Sequence, residues 1–382
     1  MKMILTCVIV VLVLFSVLMI PAMAQQTIEP AKPQKAAVVT GKLNAITDVP
    51  GIQVGHYEKN YTGTTVVLIP KAAVGGVDVR GAAPGTRETD LLNPTNLVDK
   101  VNAVVLSGGS AYGIVAADGV MQWLEEKKMG WPVGGGNVVP IVPGAILYDL
   151  GRFGRAFNDR PTAEFGRKAC ENAAAGPVKQ GNVGAGAGAV SGGLKGGVGT
   201  ASVDLGSGVI VGALVAINSF GSTVNPETGE FYAKYLEVGD EFGSLKQPFA
   251  DVRSGEFPVI AMGDAEEPIQ NTTLAVVATN VQLTKAQAKK IAEMGHDGLA
   301  RAIRPLHTMF DGDTVFALAT GEVDPEVLKG QAAWGNMAAN IIKIGAAAAD
   351  ALSRAVVHAM LNAETVGTVG SYRDKYPGAF KK

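Results

Sequence analysis

Apolar residues in this chain fall into short unbroken runs and longer periodic ones. Residues 64–69, 103–106, 209–216, 274–278 and 315–319 are short runs dominated by Val, Ile, Leu and Ala. Such runs, without polar alternation, predict strands covered on both faces. Residues 113–127, 284–303 and 333–361 carry helical patterns. Thr284 followed by Gln287 fits a capping box at the start of the second. In the third, Ile341, Ile342, Ile344, Leu352 and Val356 make an apolar stripe on an Ala-rich background. Strands mixed with long helices predict an α/β fold of sheets covered by helices, not a bundle. No internal repeat is visible.

The N-terminus follows another pattern. Lys2 precedes an apolar stretch over 3–20, and Pro21-Ala22-Met23-Ala24 ends in the Ala-x-Ala signature of signal peptidase. A signal peptide at 1–24, and a periplasmic or secreted product, are expected. The apolar stretch is also long enough to span a bilayer, so a retained anchor is the alternative. Cys7 lies inside that stretch, too early to serve as a lipid-attachment cysteine. Pro30 and Pro33 punctuate a segment with little periodicity, which predicts a flexible lead-in over 25–45. One catalytic domain is expected over 46–382, and the polar, proline-containing stretch 240–270 is expected to be a surface connection.

Charge and composition narrow the class. The formal net charge is −2, and near-neutrality argues against a nucleic-acid partner. Once the leader is gone Cys170 is the remaining cysteine, so no intramolecular disulfide is available and packing must supply stability. Stable membrane association is not expected after leader removal. Glycine is abundant, 49 of 382 residues, which suits close backbone approaches and positive φ. The segment 181–188 resembles a dinucleotide loop, but more glycine follows it where a helix is required. No cofactor is expected. His56, His296, His307 and His358 show no metal-ligand spacing, and no metal is expected. Ser107 or Ser110 could join a Ser-His-Asp triad on paper, but a Gly-x-Ser-x-Gly elbow is missing.

Two polar switches feed buried runs. Asn271-Thr272-Thr273 leads into 274–278, and His307-Thr308-Met309-Phe310-Asp311-Gly312-Asp313-Thr314 leads into 315–319. Thr suits a strand entry and Asp-Gly suits a turn on those grounds alone. Alternatively the two segments bring carboxylates to a hydroxyl nucleophile. Together with Leu106-Ser107-Gly108-Gly109-Ser110-Ala111-Tyr112-Gly113 and Ala216-Ile217-Asn218-Ser219-Phe220-Gly221, they make the chain resemble the DmpA-like aminopeptidases. That family includes β-peptidyl aminopeptidases and nylon-oligomer hydrolases. The resemblance runs from Ile46 to about Gly321.

The resemblance implies an αββα sandwich of the N-terminal-nucleophile-hydrolase type, shared with ornithine acetyltransferase. It also implies a homo-oligomer, expected to be a tetramer, of protomers cut into an α and a β chain. Cleavage between Asn271 and Thr272 would give chains 25–271 and 272–382. Thr272 becomes the nucleophile; Thr273 is the rival, but Asn-Thr matches the junction of the Thr-type relatives. Asp311 and Asp313 correspond to the pair that hydrogen-bonds the nucleophile's hydroxyl and amine. Asn218 corresponds to the oxyanion-stabilising Asn, Tyr148 to a Tyr at the site, and Lys195 to a basic residue near the nucleophile. Many members carry Ser and Glu in place of the two Asp, so the substrate stays open.

A Thr hydroxyl needs a base. Cutting before Thr272 frees an α-amine with a pKa of roughly 7.7–8.0 that can serve as that base. Before the cut, the same hydroxyl can attack the Asn271 carbonyl, an N-to-O acyl shift that water completes. The function expected is a self-processing aminopeptidase or amidohydrolase releasing N-terminal residues from small peptides or amides. An acyltransferase of the ornithine-acetyltransferase type and a non-catalytic periplasmic binding module are the alternatives.

Overall fold

In the computed structural model, residues 38–248, 271–328 and 336–380 are described. The leader at 1–24 and most of the connection at 240–270 lie outside the described residues.

A nine-stranded mixed sheet runs through the molecule. Its strands are β1 (Gln53–Lys59), β2 (Thr62–Val79), β3 (Thr86–Arg87), β4 (Lys100–Ser107) and β5 (Gly144–Ile146). They continue with β6 (Gly197–Asp204), β7 (Ile210–Asn218), β8 (Thr272–Val281) and β9 (Thr314–Val323). The order is β6-β7-β8-β9-β2-β4-β5-β3, with β1 on β2. The β8–β9 and β4–β5 pairs are parallel and the rest antiparallel. The long β2 joins two half-sheets: its first half pairs with β1 and its second half with β9. The helices are α1 (Ala116–Glu126), α2 (Ala163–Glu171), α3 (Lys285–Ala302), α4 (Asn336–Leu361) and α5 (Tyr372–Lys375).

Alternation along each strand sorts the side chains into layers. Val211, Ala213 and Val215 of β7 pack with Ile291 and Leu299 of α3 and with Leu352 and Val356 of α4. The opposite face, Leu214, Ala216, Leu274, Val276 and Phe316, meets Val67, Ile69, Val104 and Leu106 from β2 and β4. Val66, Leu68, Ala103 and Val105 then bury Val120 and Leu124 of α1 and Cys170 of α2. The sequence of layers is helix, half-sheet, half-sheet, helix: the αββα sandwich. Burial on both faces explains why these strands read as unbroken apolar runs. Cys170 is part of this packing, and burial pushes its thiol pKa up to about 12.

Other expectations shift in detail. The helix expected from 113 starts as a 3-10 turn, Ser110–Val115, before α1. The capping box at Thr284 forms: its Oγ1 accepts from Gln287 N at 3.3 Å, and Gln287 Oε1 accepts from Thr284 N at 2.8 Å. β6 lies in a glycine-rich stretch that carried no strand signal. At Gly199 a Cβ would stand 2.0 Å from the Ala355 carbonyl oxygen, so the strand lies directly on the backbone of α4.

Packing also begins before Ile46. Gly41 N donates to Ser202 Oγ at 3.0 Å, and the Asn44 carboxamide oxygen accepts from Ser202 N and from Arg354. Residues 39, 41 and 44 of the expected lead-in are therefore packed on the fold. Arg354 sits fully buried in α4 and donates to Glu241 Oε1 and Oε2 at 2.6 and 2.7 Å. Burial opposes ionisation of Glu241, but hydrogen bonds from His358 and Arg354 hold its pKa down at about 2. Phe242 and Leu245 are buried too, so the expected surface connection starts inside the fold. Met337–Leu361 has the length and hydropathy of a membrane span, yet its apolar face is buried against the sheet and α3.

Candidate active site

Three strand ends converge at one place. β7 runs antiparallel to β8, so its last residue, Asn218, pairs with the first of β8, Thr272. β9 runs parallel to β8 and starts beside it, with Leu274 opposite Thr314 and a bridge between Asn271 and Asp311. The polar residues that open or close these buried strands are thereby gathered at one edge.

Thr272 is only 4% exposed. Its Oγ1 donates to the carbonyl oxygen of Asn271 in a short hydrogen bond. The Gly312 N–H stands 3.2 Å from both Thr272 Oγ1 and the Asn271 carbonyl oxygen. Gly312 is needed here. A Cβ would lie 2.9 Å from Thr272 Oγ1 and 2.7 Å from the Ala83 carbonyl oxygen.

Asp311 and Asp313 are both fully buried. Asp313 Oδ1 accepts from Thr273 N at 2.6 Å; Oδ2 accepts from His307 N at 3.1 Å and lies 2.8 Å from His307 Nδ1. Asp311 Oδ1 accepts from Phe220 N at 3.1 Å, and Oδ2 from Thr308 N at 3.0 Å and from the Thr308 hydroxyl. Burial first, and then the neighbouring charge of Asp313, push the Asp311 carboxyl above the usual range against these hydrogen bonds. Neither carboxylate reaches the Thr272 hydroxyl, unlike the arrangement the resemblance implies; the Thr272 nitrogen is that of a peptide bond.

Asn218 is fully buried, and three bonds orient its amide. Its Oδ1 accepts from Val190 N at 3.0 Å and, in a short contact, from Arg152 Nη1. Its Nδ2 donates to the Tyr148 carbonyl oxygen at 3.2 Å. Tyr148 thus contacts Asn218 through its backbone; its ring faces Arg152, 5.9 Å from the guanidinium carbon. Lys195 is wholly buried, and its Nζ donates to the carbonyls of Gly186 (2.9 Å) and Gly196 (2.7 Å). Burial, and then the Arg152 charge, lower its pKa to about 7.

Two residues that carried no assigned role in the sequence belong to the site. His307 faces Asp313 on one side and the His296 ring on the other, with ring centres 4.8 Å apart. Arg152 reaches Asn218 across 66 positions and Asn271 across 119. It also lines a cavity of about 580 Å³ with Tyr61, Phe153, Val190, Val366 and Val369. Only the folded chain brings these partners together. Among the described residues no group of three or more His, Cys, Asp or Glu is arranged to hold a metal ion.

An αββα sandwich with a buried hydroxyl and two carboxylates at converging strand ends defines a hydrolase of peptide or amide bonds with an N-terminal-nucleophile-hydrolase fold. The chain belongs to peptidase family S58, whose profile matches residues 44–373. It is 50% identical over 350 residues to an uncharacterized aminopeptidase of Mycobacterium tuberculosis, covering 88% of this chain and 99% of that one. A 6-aminohexanoate-oligomer endohydrolase of Kocuria is 31% identical over 331 residues, covering 84% and 87%. In fold the chain matches the L-aminopeptidase D-Ala-esterase/amidase of Ochrobactrum anthropi, with TM-score 0.63, 24% identity, and 89% and 96% coverage.

Proposed function

We propose that the chain matures by cutting its own Asn271–Thr272 bond and then releases N-terminal residues from small peptides or amides, with Thr272 as the nucleophile. The hydrogen bond from Thr272 Oγ1 to the carbonyl oxygen of its own preceding residue carries this reading. It sets the hydroxyl beside the carbonyl it must attack, in a buried site where Gly312 N–H stands against both oxygens.

In the first reaction Thr272 Oγ1 adds to the Asn271 carbonyl carbon, and the C–N bond breaks to leave an ester and a free α-amine. Water then hydrolyses the ester, giving a carboxylate on Asn271 and a free Thr272 hydroxyl. In turnover the α-amine takes the hydroxyl proton as Oγ1 attacks the substrate carbonyl, and returns it to the leaving amine; water then hydrolyses the acyl ester, releasing the residue as its acid and restoring the Thr272 hydroxyl. The remaining N–H of Asn218 donates to the developing oxyanion. Asp313, bonded to Thr273 N, and Asp311 supply negative charge beside the new amine. Tyr148 acts by orienting Asn218, and Lys195 braces the Gly186 and Gly196 carbonyls.

The cavity beside Arg152 and Val190 gives the substrate a largely apolar wall. Relatives named as an aminopeptidase and as a 6-aminohexanoate-oligomer endohydrolase support amino-acid amides as the substrate class. The reading includes export on the 1–24 leader to the periplasm or beyond, and assembly as a tetramer of cut protomers. Amino-acid release from short peptides and amides, followed by chromatography, tests the activity. Fully processed chain that releases nothing from either class would exclude it.

A further inference from the structure

Arg152 opens a short 3-10 turn, Arg152–Gly154. Its Nη1 donates to the Asn218 carboxamide oxygen and, at 3.0 Å, to the Gly188 carbonyl. Its Nη2 lies 3.5 Å from the side-chain oxygen of Asn271. One guanidinium therefore touches both the amide that faces Thr272 across the sheet and the residue whose carbonyl is attacked.

The contact decides which way the Asn218 amide points. Two donors, Arg152 Nη1 and Val190 N, meet its oxygen, and one acceptor, the Tyr148 carbonyl, meets its nitrogen. A flipped amide would set N–H against N–H on one side and oxygen against oxygen on the other. The orientation is thus dictated by neighbours, and of the two N–H groups on Nδ2 one is committed to Tyr148. A cation on the amide oxygen also draws electron density from the nitrogen and strengthens the other N–H as a donor.

We infer that Arg152 is a positioning residue for Asn218: it fixes and polarises that amide for the oxyanion in both self-cleavage and turnover. The inference rests on the Thr272 reading above. Burial lowers the Arg152 pKa to about 10, with Asp149 opposing, so the side chain remains a cation at neutral pH. The same neighbours explain why a neutral residue would not substitute: an uncharged side chain cannot polarise the amide in this way.

The test compares wild type, Arg152→Lys, Arg152→Met, Asn218→Ala and the Asn218→Ala/Arg152→Met double variant. Self-cleavage rates come from intact mass, and kcat and KM on a short peptide amide are normalised to cut chain. Arg152→Met is expected to lower both the cleavage rate and kcat by about 100-fold, the scale of losing one oxyanion donor, with KM within about 3-fold. Arg152→Lys keeps the charge and is expected to recover about 10-fold of that loss. In the double variant Arg152→Met should add almost nothing to the Asn218→Ala defect, because it acts through that amide. Wild-type rates in Arg152→Met, a loss confined to KM, or losses that multiply in the double variant would overturn the inference. If Arg152→Met does not fold, Arg152→Lys and its combination with Asn218→Ala decide the matter by the same criterion. Wild-type chain that is never cut at Thr272 would instead remove the underlying reading.

Discussion

Asn218 and Thr272 stand directly opposite each other across the antiparallel pair β7–β8. Residues so paired project from the same face with Cβ atoms about 4.5–5.5 Å apart. An amide at one end of β7 is thus held within reach of a hydroxyl at the start of β8. Register, more than loop conformation, builds this part of the site. A one-residue slip of either strand would turn its side chain to the opposite face from the other.

Gly312 separates two carboxylates and lies against the hydroxyl. Gly312→Ala should lower self-cleavage and kcat by at least about 10-fold, since its Cβ would meet Thr272 Oγ1 at 2.9 Å and small displacements of a reacting group are costly. Circular dichroism should be unchanged. Wild-type cleavage in this variant would mean that the hydroxyl has room to spare.

Asp313 accepts from Thr273 N and from His307. Asp313→Asn keeps the shape but replaces an acceptor with a mixed donor and acceptor. On material already cut, kcat should fall by about 100-fold or more. Asp311→Asn should act in the same direction. Near-normal kcat in either variant would reduce that residue to a turn former.

His296 gives the stability of the fold a pH dependence. Burial lowers its pKa to about 4, against roughly 6.5 when unfolded. The unfolded chain takes the proton first, so stability present above pH 6.5 is lost as pH falls towards 4, by up to about 3 kcal/mol. Asp311, with its pKa raised, works in the opposite sense at the acid end. Urea unfolding of the uncut Thr272→Ala chain at pH 7 and pH 4.5 measures the loss. His296→Phe should shrink the difference; an equal difference in that variant would place the acid sensitivity elsewhere.

Gly199 lets β6 lie on α4. Gly199→Ala sets a Cβ 2.0 Å from the Ala355 carbonyl oxygen and should destabilise by about 1–3 kcal/mol, the usual scale of overpacking. The melting temperature should drop while kcat on the surviving folded fraction is retained. An unchanged melting temperature would mean that strand and helix separate freely.

Legibility in the sequence follows from how each element is buried. The runs 209–216, 274–278 and 315–319 were readable as strands because both faces are covered, by the helices on one side and by the other half-sheet on the other. β6 was not, because contact with the α4 backbone demands small residues, and glycine reads as loop. Thr272, Asp311 and Asp313 were legible as polar switches beside apolar runs, and Asn218 as the residue closing one. Arg152 and His307 were not: each matters through a partner distant in sequence or through the shape of one loop, and neither carries a periodic signal.

Intact mass of purified wild type beside Thr272→Ala tests the central claim most directly. Wild type should resolve into chains of residues 25–271 and 272–382, with the smaller beginning Thr-Thr-Leu. Thr272→Ser should still be cut, more slowly, because it keeps a hydroxyl. Thr272→Ala lacks the attacking oxygen and should remain a single inactive chain. Efficient cleavage of Thr272→Ala at the same bond, or a smaller chain that starts at Thr273, would contradict the assignment.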